Sequence, residues 1–422
     1  MNLRRTLALA MAAPCLSSYA TADDWQWAFE GHARTMYESY RGLDLGLGPI
    51  DDDDWVHQRV QAMGTLDHGD TFRLAAEVTW GRMWGKESPL APPDQDDGDF
   101  LQLYAQCTMP VGADDLEVRA GRQTLYYGSG RLISSREGAN QRLAHDALRL
   151  SWQRGDDTRV DAFIASPVRV EPGAFDNVSK PGELLFWSLY SVMPLPIRSG
   201  TFVDLYYIGL RDEDSIFTEA GGHETRHTLG ARCWRKDEPV ILNTELMLQF
   251  GNAADRDILA GAASLGIGYV FQEIPWAPSL QLRADAISGG DDHGTLHTFH
   301  PLFQANNYFN EGGFLSPSNL YNLNPLVMLT PCEKVELTFG VNFQWRFSAD
   351  DSVYGPPLQR LGGPSPDGER YLGTAFNASL AWELTSTTSL FLGYTHHDAG
   401  PSLSGIGGSD VDYLQTSFRR EF

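Results

Sequence analysis

Long apolar runs are missing from most of this sequence. Beyond the N-terminal segment, no stretch holds the roughly 18 consecutive apolar residues that a membrane-spanning helix requires. The mean hydropathy is -0.30. A bundle of membrane helices is therefore not expected. Membrane β-strands remain possible, because such a strand needs only about ten residues of which every second one is apolar.

Basic residues are also scarce. The chain has 32 lysines and arginines against 55 aspartates and glutamates, which gives a net charge of -23 at pH 7. Phosphate binding requires a basic surface, so nucleic acid is not expected as a partner. Only Lys86, Lys180, Lys236 and Lys334 are lysines. The excess of arginine fits either codon bias or a use of its planar fork, which suits anionic ligands and the phosphates of lipopolysaccharide.

Cysteine is rare and irregularly spaced. Beyond the N-terminal segment there are three, Cys107, Cys233 and Cys332, and no C-x-x-C pair occurs. An odd and sparse set in an exported chain argues against a disulfide scaffold and against a zinc site.

The N-terminal segment has the organisation of an export signal. Two arginines precede an apolar run from Leu7 to Leu16, and the small residues of Ala20-Thr21-Ala22 follow. This order predicts a cleaved signal peptide over residues 1–22 and a mature chain that begins at Asp23.

The mature chain consists of segments in which apolar and polar residues alternate. Val335 to Phe347 is the clearest example, with seven apolar residues at every second position and polar residues between them. Trp25 to Tyr40 and Thr71 to Trp84 follow the same pattern, which is typical of β-strands with two different faces. In a soluble core so long an apolar face would need a partner sheet, whereas in lipid it needs none.

The connections between these segments alternate between long and short. Residues 126–143, 289–319 and 349–370 form long connections, whereas residues 67–70 and 110–115 form short ones. About eighteen segments result, with both termini on the side of the short turns. We therefore predict an all-β protein: residues 23–422 form one transmembrane antiparallel β-barrel of about 18 strands, with short periplasmic turns and long extracellular loops.

The last segment ends at Phe422 with Leu414, Thr416 and Phe418 on the same face. A terminal phenylalanine that closes an alternating strand resembles the signal read by the barrel assembly machinery, although Arg420 replaces the usual apolar residue. We expect that machinery as a partner and a monomeric barrel.

Three collinear motifs resemble one known family. The first is G-R-Q-x-L-x-Y-G-S-G-R-L, followed by R-E-x-x-N and a D-x-x-R-L strand, between Gly121 and Trp152. The second lies in Phe299 to Asn324 and the third in Asp350 to Pro357. Together they resemble the alginate-export family of bacterial outer-membrane β-barrels.

The resemblance implies a location in the outer membrane, with lipid and lipopolysaccharide around the barrel. It also implies a channel for a hydrophilic anionic solute or polysaccharide, such as alginate-like uronates or other carboxylates. Because the alginate exporter of the family has an arginine-rich pore, the resemblance points to Arg119, Arg122 and Arg149.

The polar faces and one long connection supply further candidates for a pore lining. A cationic lining would attract an anionic solute and replace part of its hydration. The alternative is that many of these groups form ion pairs that stiffen the wall. The complete candidate set is Arg34, Arg73, Glu77, Arg119, Arg122, Arg131, Arg136, Arg149, Arg283, Asp285, Glu336 and Arg346.

No cofactor and no catalytic residue are predicted. Asp51, Asp52, Asp53 and Asp54 could hold a structural calcium ion in a loop, but consecutive loop aspartates are also commonly solvated.

Three alternatives remain open. An outer-membrane barrel hydrolase could use Ser129, His145 and Asp146, but no G-x-S-x-G elbow is present and adjacent strand residues face opposite sides. A substrate receptor without conduction and a soluble exported β-sandwich are the other two.

Overall fold

The computed structural model describes residues 25–196, 198–217, 222–292 and 294–422. The predicted signal peptide, residues 1–22, and its cleavage site before Asp23 lie outside these ranges. None of the helices in the described ranges has the length and apolar character needed to cross a membrane.

Eighteen long strands form a single closed antiparallel sheet, as the alternating pattern predicted. The sheet closes because β1 pairs with the last strand as well as with β2: Arg34 lies opposite Arg59 on one side and opposite Arg419 on the other. The strands are β1 (Trp25–Arg41), β2 (Asp52–His68), β3 (Phe72–Trp84), β4 (Asp96–Val111), β5 (Asp114–Gln123), β6 (His145–Arg154), β7 (Thr158–Arg169), β8 (Leu184–Pro194), β9 (Thr201–Ser215), β10 (Gly222–Arg235), β11 (Val240–Ala253), β12 (Arg256–Val270), β13 (Ser279–Ile287), β14 (Leu320–Cys332), β15 (Val335–Arg346), β16 (Tyr371–Thr385), β17 (Thr388–Ala399) and β18 (Val411–Glu421).

Within the described ranges, helix occurs only as short turns near the loops. Leu43–Gly46 and Pro92–Asp94 are 3-10 turns, and Pro401–Ser404 is a single α-helical turn. Five further strand pieces lie in the loops: Val178–Ser179, Asp291–Asp292, Thr295–Leu296, Val353–Gly355 and Gln359–Gly362.

Each strand has an apolar outer face and a polar inner face. In β15, Phe339 is 49% exposed on the outside, whereas Asn342 and Gln344 are buried on the inside. In β1, Trp27 and Phe29 are exposed, whereas His32 and Arg34 are buried. An exposed apolar band of this kind is stable in hydrocarbon, where its side chains need no further burial. Its inner counterpart can be polar because it faces the lumen.

The two ends of the barrel differ. At the turn end, connections are as short as residues 112–113 and 386–387, and both termini of the barrel lie there. At the loop end, residues 124–144 form loop L3, residues 170–183 form L4 and residues 288–319 form L7. One connection at the loop end is not long: β11 and β12 are joined by residues 254–255 alone, with Ala254 at a φ of 51°.

L3 and L7 fold into the barrel and supply its core. They pair with each other, because Ser134 N donates to Phe303 O at 2.9 Å and Phe303 N donates to Leu132 O at 2.8 Å. Ile133 and Phe303 are buried, and Phe303 packs on Phe186 of β8 with ring centroids 4.5 Å apart. The main hydrophobic core of the described chain therefore lies inside the barrel, where the loops meet the inner wall.

Candidate functional site

Three inward-facing arginines form a row across the closure of the barrel. Arg34 of β1 lies between Arg59 of β2 and Arg419 of β18. Side chains at directly opposed positions of an antiparallel pair point to the same face. Arg142, from L3, completes a group of four guanidinium ions, which we call the arginine cluster (Arg34, Arg59, Arg142 and Arg419).

The arginine cluster surrounds one carboxylate, that of Glu137 in L3. Arg59 contacts Glu137 Oε1, Arg142 Nε lies 2.7 Å from Oε2 and Arg419 Nη1 lies 3.5 Å from Oε1. Burial acts against the charged form of Glu137, but Arg59 and the neighbouring arginines prevail and lower its pKa far below the ordinary value. Glu137 is therefore an anion throughout the physiological range.

The backbone of L3 is held by the same arginines. Arg34 donates to the carbonyl oxygens of Glu137 at 2.8 Å, Gly138 at 3.2 Å and Ala139 at 2.9 Å. Arg59 Nη1 donates to the carbonyls of Glu137 at 3.2 Å and Ala139 at 3.0 Å. Hydrogen bonds from charged donors are stronger than neutral ones, so they fix L3 against the wall.

A second group of charges joins L3, L7 and the opposite wall. Arg131 Nη1 donates to Glu245 of β11 at 2.7 Å, and its Nε donates to the Tyr308 hydroxyl of L7 at 3.0 Å. That hydroxyl donates to Asp285 at 2.8 Å. Arg283 lies two positions before Asp285 on β13. Among the described residues, none forms a hydrogen bond or ion pair with Arg283, which leaves its cation available.

The neighbouring strands β5 and β6 bring two more predicted arginines together, because Arg119 and Arg149 are directly opposed. Arg119 donates to Gln106 at 2.6 Å and lies 4.3 Å from the ring centre of Tyr104. Arg149 contacts Glu117. These two arginines therefore combine a luminal position with partners in the wall.

The remaining predicted residues of the inner face are spread along its height. Arg73 pairs with Asp67 at 2.6 Å, and Glu77 accepts a hydrogen bond from Gln102 at 2.5 Å. Glu336 occupies the turn end of β15 on the same face as Asn342. Arg136 of L3 donates to the carbonyl of Gln304 in L7 at 3.2 Å. Burial lowers the pKa of Arg136 to about 10.

Two predicted residues need correction. Arg122 is opposed to Leu103, an exposed leucine of the lipid face, and contacts Asp146 at 3.0 Å and the Asn177 carbonyl of L4 at 3.0 Å, so it lies outside the lumen. Arg346 faces inward but is 0% exposed. Its donors go to Ser402 Oγ and to carbonyl oxygens of residues 351, 363 and 402, so it anchors loops and offers nothing to a solute.

The aspartate run does not converge on one point. Asp52 and Asp54 lie 3.6 and 3.3 Å from Arg41, whereas Asp53 accepts hydrogen bonds from the backbone N–H groups of Glu87 and Ser88. Asp51 is exposed. Throughout the described ranges, no three histidine, cysteine, aspartate or glutamate side chains are grouped to hold a metal ion.

The residues of the hydrolase alternative are not assembled. His145 is buried against Phe186 and Phe303, and neither of its ring nitrogens has a hydrogen-bond partner in the described chain. Asp146 is on the outer face with Arg122, and Ser129 accepts a hydrogen bond from Arg131. Ser129 donates to Glu245 Oε2 at 3.3 Å, a carboxylate that is ion-paired with Arg131, so neither His145 nor Asp146 is positioned to activate Ser129.

Sequence reasoning missed Arg59, Arg419 and Glu137. A signal for Arg59 was present, because Trp55, His57, Arg59 and Gln61 alternate like the polar face of β1. Arg419 could be placed only once the last strand was known to pair with the first.

Comparison with known proteins agrees with this architecture. Solved structures from Pseudomonas aeruginosa are similar over 94% of this chain: OccK8 (OprE), with 98% of that chain covered, 11% identity and a TM-score of 0.60, and the outer membrane protein opdK, with 98% covered, 11% identity and a TM-score of 0.62. OccAB3 of Acinetobacter baumannii is similar over 94% of this chain and 99% of its own, with 9% identity and a TM-score of 0.62.

No curated protein sequence matches the chain significantly. The family model described as alginate export matches residues 26–417. The barrel thus has the fold of these outer-membrane proteins, and its location is the bacterial outer membrane. With nearly the whole chain matched, the protein belongs to the alginate export family of bacterial outer-membrane β-barrels.

Proposed function

We propose that this protein is an outer-membrane channel that passes a hydrophilic, carboxylate-bearing solute or polysaccharide along an arginine-lined lumen. The observation that carries the proposal is the arginine cluster, in which three wall strands and L3 place four guanidinium ions around a single carboxylate. Arg283, Arg119 and Arg149 extend the cationic lining around the inner wall.

The chemistry of the lining favours carboxylates over other solutes. A guanidinium ion presents two parallel N–H donors that match the two oxygens of a carboxylate. Fixed cations in a narrow lumen also raise the local concentration of anions. The family match supports a uronate polymer as one such solute, and smaller carboxylates carry the same group. The proposal requires no cofactor.

The surroundings of the barrel follow from its outer face. We propose that it is a monomer in lipid and lipopolysaccharide and is inserted by the barrel assembly machinery. In support, Phe422 closes the last strand by two backbone hydrogen bonds to Gly31, of 3.0 and 2.9 Å.

Planar-bilayer recording tests the proposal with a matched pair of variants. Arg419 and Arg420 are adjacent on β18, but Arg419 faces the arginine cluster and Arg420 is exposed on the other face. We expect an anion-selective wild type. Arg419→Gln should lower the anion-to-cation permeability ratio by about twofold, and Arg420→Gln should leave it unchanged.

Arg283→Gln provides a second measurement, because it removes a cation that forms no hydrogen bond or ion pair with a described residue. We expect it to weaken current block by citrate, a tricarboxylate. A wild type without conductance, or a cation-selective one that neither Arg419→Gln nor Arg283→Gln alters, would overturn the proposal.

A further inference from the structure

Glu137 differs from the arginines around it in its access to the lumen. Its side chain is 44% exposed, whereas those of Arg59, Arg142 and Arg419 are 0%, 18% and 34% exposed. Glu137 therefore has the most open side chain of the group, and Arg59 beside it is closed to solvent. An anion that enters the lumen meets Glu137 at the position where it would have to bind the arginine cluster.

The arginine cluster has more positive charge and more donors than its protein partners use. Among the described residues, three carboxylates lie within 4 Å of its four guanidinium ions: Glu137, Glu77 at 3.9 Å from Arg142 and Glu421 at 3.5 Å from Arg419. One cation is thus in excess. The Nε–H groups of Arg34, Arg59 and Arg419 are buried and have no acceptor within the described ranges.

We infer that Glu137 is an internal competitor that occupies the solute-binding position of the arginine cluster until a carboxylate of the solute displaces it. The inference rests on the proposed function and adds to it a specificity-determining residue. Exchange of one carboxylate for another conserves the charge and the hydrogen bonds at the arginines. The free-energy difference between the two states is therefore small enough for a solute to reverse.

The competition selects the class of solute. A side chain tethered to a loop competes at an effective concentration of roughly millimolar or above. A solute with one carboxylate must exceed that concentration at the arginine cluster. A solute with several carboxylates can contact more than one arginine of the cluster at once, so it displaces Glu137 at a lower concentration. Polycarboxylates are therefore favoured over monocarboxylates.

The test is the concentration of citrate that halves the single-channel current, measured for Glu137→Gln and for Glu336→Gln. Both variants remove one negative charge from the inner face. Glu336 forms no hydrogen bond or ion pair with a described residue, so only Glu137→Gln frees arginines. We expect Glu137→Gln to lower the half-blocking citrate concentration by about tenfold, with a smaller effect on acetate block, and Glu336→Gln to leave both nearly unchanged.

Assembly of each variant is checked by the heat-dependent mobility of the barrel on gels. If Glu137→Gln does not assemble, Glu137→Asp replaces it, since a shorter carboxylate competes less well and should also lower the half-blocking concentration.

Equal citrate block in wild type, Glu336→Gln and the assembled Glu137 variant would overturn the inference. Such a result would leave the proposed function standing if Arg419→Gln still altered anion selectivity. Loss of the Arg419 effect would instead remove the proposed function.

Discussion

L3 and L4 leave the same end of the barrel and go opposite ways. L3 enters the lumen, where Arg34 and Arg59 bind its carbonyl oxygens. L4 lies over the outer rim, where the carbonyl of Asn177 accepts a hydrogen bond from Arg122 and Ser179 donates to Asp146 at 2.7 Å. In each case a wall arginine holds the loop. The direction of a loop is therefore set by the face on which the arginines of the nearby strands lie.

The rim under L4 shows the same effect in its apolar residues. Leu101, Ala144 and Val168 form a small buried cluster. Two residues further along β4, Leu103 is 49% exposed on the lipid face. The difference is that L4 covers the rim and lipid covers the region below it.

The largest expected effect on stability comes from removing Arg59, which holds L3 inside the barrel. Arg59→Ala should lower the free energy of unfolding by about 3 kcal/mol, because it removes the fully buried partner of the Glu137 carboxylate and one of the two arginines that bind the carbonyls of Glu137 and Ala139. The measurement is the urea concentration at which heat-dependent gel mobility is lost. Arg420→Ala, on the exposed outer face, should change the stability by less than about 0.5 kcal/mol. Equal stability of the two variants would show that Arg59 does not hold L3.

A smaller effect on stability is expected from removing Arg122, which holds L4 on the outer rim. Arg122→Ala should cost about 1 to 2 kcal/mol and should make L4 more readily cleaved by chymotrypsin after Phe175. Its ion selectivity should equal that of the wild type, because Arg122 does not face the lumen. A changed selectivity would mean that L4 contributes to the conduction path.

The smallest expected effect is a pH dependence of stability, which should differ between the two loops that enter the lumen, L3 and L7. Burial raises the pKa of Glu311 in L7, whereas the arginines lower that of Glu137 in L3. A raised carboxyl pKa favours the folded state at low pH, and this contribution is lost as the pH rises through the folded value. A lowered pKa gives a contribution that is present at neutral pH and is lost only in strong acid.

The contribution of Glu311 to stability should therefore decrease as the pH rises from 5 to 8, and Glu311→Gln should change the slope of stability against pH by removing that decrease. Glu137→Gln should leave the slope unchanged, since Glu137 is ionised across this range. Urea midpoints at several pH values provide the measurement, and an unaltered slope in Glu311→Gln would assign the dependence to another group.

Much of the fold was predictable because a strand has only two faces. The alternation in Val335 to Phe347 showed which residues meet lipid, and the spacing of such segments led to eighteen strands. The same rule separates Arg119 from Arg122, which are three positions apart and must face opposite sides of one strand. The error at Arg122 arose because it was named from the family resemblance, whereas β5 extends to Gln123 and places Arg122 on its outer face.

Less of the candidate site was predictable. Arg34 was identified from its own strand, but the arginine cluster depends on the pairing of β1 with β18, which lie at opposite ends of the chain. Glu137 has no periodic pattern around it, so its position depends on L3 entering the lumen. Arg346 shows that an inward position does not by itself predict contact with a solute, because its N–H groups donate to loop oxygens instead.

The sequence by itself determined the barrel, its apolar exterior and the inward direction of most of its arginines, because these depend on neighbours one and two residues away. The tertiary structure decided which arginines lie next to each other, which of them donate only to loop oxygens and which surround Glu137. Those contacts depend on closure of the sheet and on the direction of two loops, and both are set by residues far apart in the chain, such as Arg59 and Glu137, which are 78 positions apart.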